Sequence, residues 1–496
     1  MSDSTERYVI GIDQSTQGTK AILFDADGRI VGRHDEKHRQ IISREGWVSH
    51  DPEEIFGNVI KACKGVIEET GIDKKKISCI GISNQRETTV AWNRKTGKPY
   101  ADAIVWQCNR SEEICWEIRQ TCDEDKDIYR VTGIKLTPYY PASKMTWLLK
   151  NVPGLQDEAR KGDLALGTID SWLVFKLTGG KVLCTDYSNA SRTQLMNLNT
   201  LRWDQNVCSI FGVPLSSLPE IVDSDSIFGK TDLEGVLEEQ IPVCGVLGDS
   251  HAALFGHNCR KKGGIKATYG TGSSIMLNTG SSPVRSSCGL TTSLAWKVNG
   301  DVNYVLEGNI NYTGAVFSWL KDDVGVIGST KEIEPLAKEA NEQDTTYIVP
   351  AFSGLGAPWW ANHAKAAILG MTRATGKKEI VKAGCESINF QINDVIEAMR
   401  QDTHLTISSL CVDGGPTRNQ FLMQRQSDIS NLTVKIPSAE ELSAMGAAYL
   451  AGMTAGVYDD MVYESVDYTY FQPAMSDEMR RSRLEGWQNA VNTVIR

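Results

Sequence analysis

Short apolar runs, broken by polar corners that carry glycine, set the pattern along this chain. Residues 8–12, Tyr-Val-Ile-Gly-Ile, form a β-type apolar run. A polar stretch follows at 13–20, Asp-Gln-Ser-Thr-Gln-Gly-Thr-Lys, and a second apolar run occupies 21–24. Asp25-Ala26-Asp27-Gly28 predicts the next turn, and Ile30-Val31 a third strand. The whole reads as a β-meander whose first turn is rich in hydroxyls. Such a turn presents backbone N–H groups that can cradle phosphate oxygens, although most turns of this composition only join strands.

The design recurs in the second half. Gly264-Ile265-Lys266-Ala267 predicts a strand, 268–274 (Thr-Tyr-Gly-Thr-Gly-Ser-Ser) a hydroxyl-rich turn, and Ile275-Met276-Leu277 the returning strand. Two strand–polar turn–strand units, one opening each half, predict an internal duplication. Facing each other, the two turns could grip the ends of a triphosphate. A third glycine corner follows the run Leu410-Cys411-Val412, at Asp413-Gly414-Gly415, and leads into a helix from Asn419 through Met423 and Ile429. It reads either as a plain β-to-α turn or as a place where backbone approaches a flat ligand.

Helical periodicity appears at Ile380, Ala383, Ile388, Ile392, Val395 and Met399. Residues 443–452 predict a helix with a small-residue face. Residues 331–342 read as a charged, solvated helix, and the tail from Ser476 as an amphipathic surface helix. Strands alternating with helices in both halves give an α/β class.

Near the midpoint, Gly245-Val246-Leu247-Gly248 is an apolar run ending in glycine, followed at once by Asp249 and the helix-favouring Ala252-Ala253-Leu254. A carboxylate at a strand-to-helix corner is held rigidly, and the positive end of a helix favours negative charge there. Asp249 is thus either an N-cap or a base able to take a proton from a bound hydroxyl. The boundary between two domains is expected here, with 1–248 and 249–496 packed across a cleft.

A length of 496 residues exceeds one hydrophobic core. The net charge of −10 and pI near 5.4 argue against a nucleic-acid or anionic-membrane surface. No apolar run reaches the length of a membrane span, so no membrane insertion is expected. The first seven residues are polar, without a signal-peptide core. The 12 cysteines are scattered, with no CxxC pair, and read as reduced cytoplasmic thiols. Cys108, Cys115 and Cys122 recur every seven residues, which predicts one face of a helix rather than a metal site.

Several chemistries are absent. Gly229-Lys230-Thr231 lacks the upstream glycine of a Walker A loop, no GxGxxG opens a βαβ unit, and there is no GxSxG elbow. What remains is a set of phosphate-type turns and a midpoint carboxylate. Asn84-Gln85-Arg86-Glu87-Thr88-Thr89 follows an apolar run and sets a donor fork beside an acceptor. That suits a polyhydroxyl ligand, since each hydroxyl both donates and accepts; a surface ion pair is the alternative. Ala103-Ile104-Val105 predicts a strand leading to Trp106, whose indole could pack on the C–H face of a small polyol or fill the core.

On these stretches the chain resembles the FGGY carbohydrate kinases, within the actin/Hsp70-type ATPase fold, and follows most nearly their glycerol-phosphorylating branch. The resemblance runs through nearly the whole chain. It is most specific at 83–89, 104–108, 139–148, 185–193, 248–256, 350–358 and 412–415. A second family signature around Ala366–Ala383 is met only in part, with Gly384 and Cys385 departing from it. The resemblance implies a two-domain α/β fold with a duplicated β-meander and an interdomain cleft. The first domain would carry most substrate contacts and the second most nucleotide contacts.

Residue by residue, the resemblance makes Asp249 the base for the attacking hydroxyl. Arg86, Glu87 and Tyr139 would bind substrate hydroxyls, with Trp106 on carbon and Ser250 and Ser274 alongside. Asp13 would sit near the Mg²⁺ of ATP. Ser15, Thr16, Gln17, Lys20, Thr271 and Gly272 would serve the phosphates, and Gly314, Ser318, Gly415 and Asn419 would border the nucleotide. Four positions depart from the branch: Ser250 replaces Gln, Ser274 replaces a Phe that would sandwich the substrate with Trp106, Ser15 replaces Gly, and Ser318 replaces Gln. Losing the ring should open space and add a hydroxyl.

The expected activity is ATP- and Mg²⁺-dependent phosphorylation of a terminal hydroxyl of a small polyol or ketose. Glycerol is one candidate, and a tetritol, pentitol or ketopentose of the xylulose or ribulose type another. A nucleotide-switched binding protein without kinase activity would share the phosphate turns but need neither the 84–89 cluster nor Asp249. A homodimer or homotetramer is left open by the sequence.

Overall fold

The computed structural model describes residues 6–496. Most of the polar N-terminal stretch lies outside the described residues. Two mixed sheets with the same plan carry the molecule. The first orders its strands Ile227–Thr231, Ile241–Gly248, Ile77–Asn84, Tyr8–Gln14, Gly18–Phe24 and Ile30–Lys37. The second orders Tyr468–Phe471, Thr433–Pro437, Ser409–Asp413, Ile265–Tyr269, Ser273–Gly280, Asp301–Ile310 and Thr291–Val298. In each, an antiparallel meander is extended by two parallel strands and closed by an antiparallel edge. The expected duplication is therefore a repeat of topology. The polar turns are tighter than their composition suggests, because Asp13-Gln14 and Gly18-Thr19-Lys20 stay in the ladder. Only 15–17 and 270–272 form the tips.

Strand Tyr8–Gln14 is buried from Val9 onward, as expected where both faces are covered. On one face lies the helix Pro52–Thr70. It starts with Pro52 behind Asp51, whose side chain accepts from Glu53 N and Glu54 N, and stops at Gly71 at φ 65°. Its Ile55, Val59 and Val66 pack with Ile10, Ile12, Ile80 and Val246. The second sheet is covered by the 27-residue helix Lys377–Thr403, whose Val381, Ile388, Ile392, Val395 and Met399 join Ile265, Ala267 and Leu306 in one core.

The other faces of the two sheets meet around a third core, built on the helices Asp249–Gly256 and Leu442–Thr454. The small-residue face of the latter does the packing expected of it: a Cβ on Gly446 would run into the carbonyl oxygen of Ala252. The tail forms the helix Asp477–Ile495, capped by Ser476, with Trp487 buried.

Two expectations are corrected. Cys108, Cys115 and Cys122 do not share a helix face, because the helix Glu112–Arg119 has only eight residues and contains Cys115 alone. Cys108 lies in the preceding turn, where its Sγ accepts from Val48 N (3.4 Å) and Arg110 Nε (3.1 Å). Residues 331–342 are not one solvated helix. A 3₁₀ turn, Thr330–Glu332, leads into Ile333–Glu339, with Ile333 and Ala337 in the core. Glu342 lies beyond that helix and pairs with Arg425 and Arg483.

Candidate active site

Asp249 opens the helix Asp249–Gly256 directly after the strand Ile241–Gly248, at the carboxyl edge of the first sheet. Gly248 is the N-cap residue and no side chain caps this helix, so the capping alternative for Asp249 is not realised. Gly248 has φ −62°, a value open to any residue. The glycine is needed for space, since a Cβ there would lie 2.6 Å from Arg86 Cγ. Asp249 Oδ1 accepts from Ser250 N at 2.6 Å and lies 3.0 Å from Arg86 Nε. With its side chain 37% exposed, the second carboxylate oxygen can face a ligand.

Arg86 is held as a fork. Its Nη1 donates to Glu307 Oε2 at 3.0 Å and its Nη2 to Glu307 Oε1 at 2.8 Å. Glu307, in the strand Asp301–Ile310 of the second sheet, has no exposed side-chain surface. It also accepts from Ser274 Oγ at 2.9 Å and pairs with Arg192 Nη1 at 2.6 Å. Arg192 Nε in turn donates to Glu87 Oε1 at 2.6 Å, and its guanidinium lies 5.2 Å from the Tyr140 ring centroid. The run Asp249–Arg86–Glu307–Arg192–Glu87 thus crosses between the two sheets. Burial alone would raise the Glu307 carboxyl, but Arg192 and Arg86 hold it well below the usual range. Burial wins at Glu87, whose carboxyl is raised although Arg192 and Arg86 oppose it. Neighbours in sequence, Arg86 and Glu87 serve different partners and are buried; they are not a surface pair.

Beside this run the half-buried Trp106 rests against Tyr139, with ring centroids 5.4 Å apart, and donates Nε1–H to Thr16 Oγ1 at 2.9 Å. Trp106 is therefore no core residue; it ties the first phosphate-type turn to the substrate side. Both aromatic residues are fixed from behind. The fully buried Lys144 donates to the backbone carbonyls of Trp106 (3.2 Å), Tyr139 (2.9 Å) and Pro138. Burial pushes its amine down to about 7.

At the turn 15–17, Asp13 is 7% exposed; its Oδ1 accepts from Ser83 Oγ at 2.9 Å and its Oδ2 lies 3.9 Å from Lys20 Nζ. Burial raises the Asp13 carboxyl to about 6. Lys20 donates to Glu441 Oε2 at 2.7 Å. Ser15 spends its hydroxyl on Gly18 O (3.0 Å), and Gln17 is exposed. Across the cleft, Thr271 is exposed at the second tip, next to Gly272. Gly314 N donates to Gly270 O at 2.9 Å, and a Cβ at Gly314 would press on that oxygen.

A hollow of about 500 Å³ joins Lys20 to Asp413, Gly414, Gly415, Ser438 and Glu441. Gly414, at φ 99°, could carry no side chain without striking Tyr269, whereas a Cβ on Gly415 would meet nothing within 4 Å. Asn419 spends its side-chain oxygen on capping the helix Gln420–Ser430 through Leu422 N (3.0 Å), and Ser318 is exposed. A larger hollow of about 730 Å³, lined by Phe255, Cys259, Trp296 and Tyr468 among others, holds none of the candidate residues.

The structure thus brings Arg86, Glu87, Trp106, Tyr139, Asp249 and Ser274 to one place. The hydroxyl that Ser274 adds there donates to the buried Glu307 carboxylate. Glu307 carries no motif of its own, and Lys144 and Arg192 lie inside the stretches 139–148 and 185–193 without having been singled out there. The available signal was charge inside apolar context, as in Tyr304-Val305-Leu306-Glu307-Gly308, since buried charges are rare unless paired.

Comparison with known proteins agrees along the whole chain. Residues 8–256 match the model of the FGGY family of carbohydrate kinases, N-terminal domain, and residues 265–455 that of the C-terminal domain. Glycerol kinase 1 of Thermotoga maritima is 47% identical over 491 residues, covering 98% of this chain and 99% of that protein. Glycerol kinase of Chromobacterium violaceum is 46% identical, covering 98% of each. Among solved structures, Plasmodium falciparum glycerol kinase with ADP superposes at a TM-score of 0.93 with 36% identity, covering 99% of this chain and 98% of that one.

Proposed function

Because the chain belongs to the FGGY family of carbohydrate kinases, ATP-dependent phosphotransferases with an alcohol acceptor, we propose that it phosphorylates a terminal hydroxyl of a short linear polyol in the cleft at Asp249. The observation that carries this is the Asp249 carboxylate. It stands at a rigid corner between two phosphate-type turns, with one oxygen engaged by Arg86 and Ser250 N and the other available to a hydroxyl. Asp249 takes the proton of the attacking hydroxyl. Arg86, Glu87 and Tyr139 bind substrate hydroxyls, and Trp106 packs on carbon. Ser15, Thr16, Gln17, Lys20, Thr271 and Gly272 serve the phosphates, while Gly314, Ser318, Gly415 and Asn419 border the nucleotide. Residues 1–248 carry most of the substrate contacts and residues 249–496 most of the nucleotide contacts. Closure of the two halves excludes water from the transfer.

Magnesium, arriving with ATP, neutralises phosphate charge. The residues present fit it. Asp13 keeps an oxygen that makes no hydrogen bond, and the described residues hold no cluster of three or more His, Cys, Asp or Glu that could bind a metal alone. That donor set suits a cation held mainly by phosphates and water, with one carboxylate.

Glycerol, the substrate named for the relatives, is the first candidate acceptor. A second reading rests on Ser274: with no ring opposite Trp106, the site has room for a tetritol, pentitol or ketopentose. We also read the protein as cytoplasmic. All 12 cysteines are free, and no helix among the described residues is long and apolar enough to cross a membrane. A homodimer or homotetramer is testable by light scattering.

The deciding experiment is an ADP-release assay over glycerol, erythritol, threitol, ribitol, xylitol, ribulose, xylulose and erythrulose. Run beside it, Asp249→Asn should lower turnover by ~10²–10⁴ while nucleotide binding persists. Near-full activity of Asp249→Asn would remove the base role.

A further inference from the structure

We propose that Lys266 is a catalytic residue whose ammonium group binds the terminal phosphoryl group of ATP during transfer. The inference rests on the kinase reading above and adds to it a cation that no motif marks. Lys266 lies in the strand Ile265–Tyr269, four residues before the second phosphate-type tip, and is fully buried. In the ladder it is flanked by Met276 on one side and Cys411 on the other. Thr268, one step nearer the cleft on the same face, is flanked by Ser274 and Asp413. The lysine side chain runs along this face towards the cleft, and its Nζ donates to Thr268 Oγ1 at 2.8 Å. That is its one hydrogen bond among the described residues, although an ammonium carries three donors.

None of the nearby carboxylates pairs with Lys266, and each has another partner. Asp413 Oδ2 takes His257 Nε2 at 2.7 Å and Thr268 Oγ1 at 3.2 Å. Glu307 is taken by Arg86, Arg192 and Ser274. Asp249 is paired with Arg86. A buried ammonium with unused donors is expensive to keep unless an anion arrives. Burial holds the Lys266 amine below the usual lysine range, against the pull of Asp413 and Glu307. The anion that the fold delivers to this face is phosphate. Asp413 and Gly414 line one hollow with Lys20, and Asp249 lies close enough to both Lys266 and Asp13 for its charge to act on each. In phosphoryl transfer, negative charge is spread over the equatorial oxygens, and a fixed cation there stabilises the transition state more than the ground state.

The test uses the full chain and Lys266→Met, which keeps length and volume while removing the charge. Calorimetric titrations with ADP and with β,γ-imido-ATP, both with magnesium, read which phosphate the lysine touches. The expected result is a loss of ~10-fold or more in affinity for the imido analogue with ADP affinity held within about twofold. In the ADP-release assay kcat should fall by ~10²–10³ with the polyol KM little changed. Lys266→Arg should recover part of the analogue's affinity. Equal weakening of both nucleotides, or of neither, overturns the assignment and leaves Lys266 as a support for Thr268 and Asp413. If wild type turns over a polyol and Lys266→Met does so at the same rate, only the lysine's role falls. If wild type turns over none of the panel, the kinase reading falls and the inference with it.

Discussion

Glu307→Gln is the perturbation that tests the site's scaffold most directly. The native carboxylate has no exposed surface and satisfies the Arg86 fork, Arg192 and Ser274 together. An amide of the same shape removes one negative charge and aims an N–H at one of two guanidinium groups. Arg86 and Arg192, 6% and 1% exposed, would then share only Glu87 and the partly exposed Asp249. Removing one partner of a buried pair costs about 3–5 kcal/mol, because the other charge stays buried. For a cooperative unit of 150–250 residues that lowers the melting temperature by roughly 6–20 °C, read by scanning calorimetry. Without its fork, Arg86 turns to Asp249 as its main partner and the geometry of the base is lost. A displacement of about 1 Å at such a site costs ~10²-fold in kcat/KM. Adding Arg192→Met restores the net charge but strips the buried Glu87 of its hydrogen-bonded partner, so it should return only part of the melting temperature and little of the activity. A Glu307→Gln protein that melts within about 2 °C of wild type and keeps its kcat/KM refutes the reasoning.

Lys144→Met should raise the polyol KM by ~10-fold, the equivalent of one lost interaction with a charged group, and the ATP KM by less, because Lys144 fixes Trp106 and Tyr139 directly and reaches the first phosphate-type turn only through the Trp106–Thr16 bond. Asp394, half-buried, accepts from the indole N–H groups of Trp359 (3.0 Å) and Trp487 (2.8 Å), and desolvation pushes its carboxyl up to about 7. A raised carboxyl favours the fold while protonated, so its stability contribution is full below about pH 4 and is lost as pH rises through 7. Asp394→Asn should therefore melt higher than wild type at pH 8, with the difference fading towards pH 4–5; a difference independent of pH would count against this. Ser250→Gln with Ser274→Phe should shift preference towards glycerol by ~10-fold in competing ADP-release assays, and no shift would mean that these positions do not set chain length.

The architecture was legible because it repeats local rules. The apolar run at 8–12, the helical spacing from Ile380 to Met399 and the small-residue face at 443–452 each have one packing solution. Half of the candidate site was legible too. Asp249, Arg86 and Trp106 sit at strand ends beside glycine or hydroxyl clusters, where chemistry stands out from packing. Glu307 and Arg192 stayed hidden because each is a single charge, Glu307 within a strand and Arg192 in a turn, whose partners come from more than 30 residues away. Ser274 could be seen as a lost ring, but the sequence held no sign that its hydroxyl would be claimed by Glu307, since that contact depends on the register of two neighbouring strands.

The duplicated topology explains why one cleft can carry two kinds of chemistry. In both sheets the three inner strands end at the cleft, where ligands of open α/β sheets bind. Strand Tyr8–Gln14 brings Asp13 there, and its counterpart Ile265–Tyr269 brings Thr268. Strand Ile77–Asn84 brings Ser83, and Ser409–Asp413 brings Asp413. The third pair differs most. Strand Ile241–Gly248 is followed by Asp249, whereas Thr433–Pro437 is followed by Ser438, which lines the hollow beside Gly414 and Gly415. One copy of the corner thus holds the carboxylate of Asp249, and the other the neutral hydroxyl of Ser438. Beyond the corners, the helices Asp249–Gly256 and Leu442–Thr454 pack on each other through Ala252 and Gly446. That contact joins the helix that begins at Asp249 to the one that follows Ser438 and Glu441.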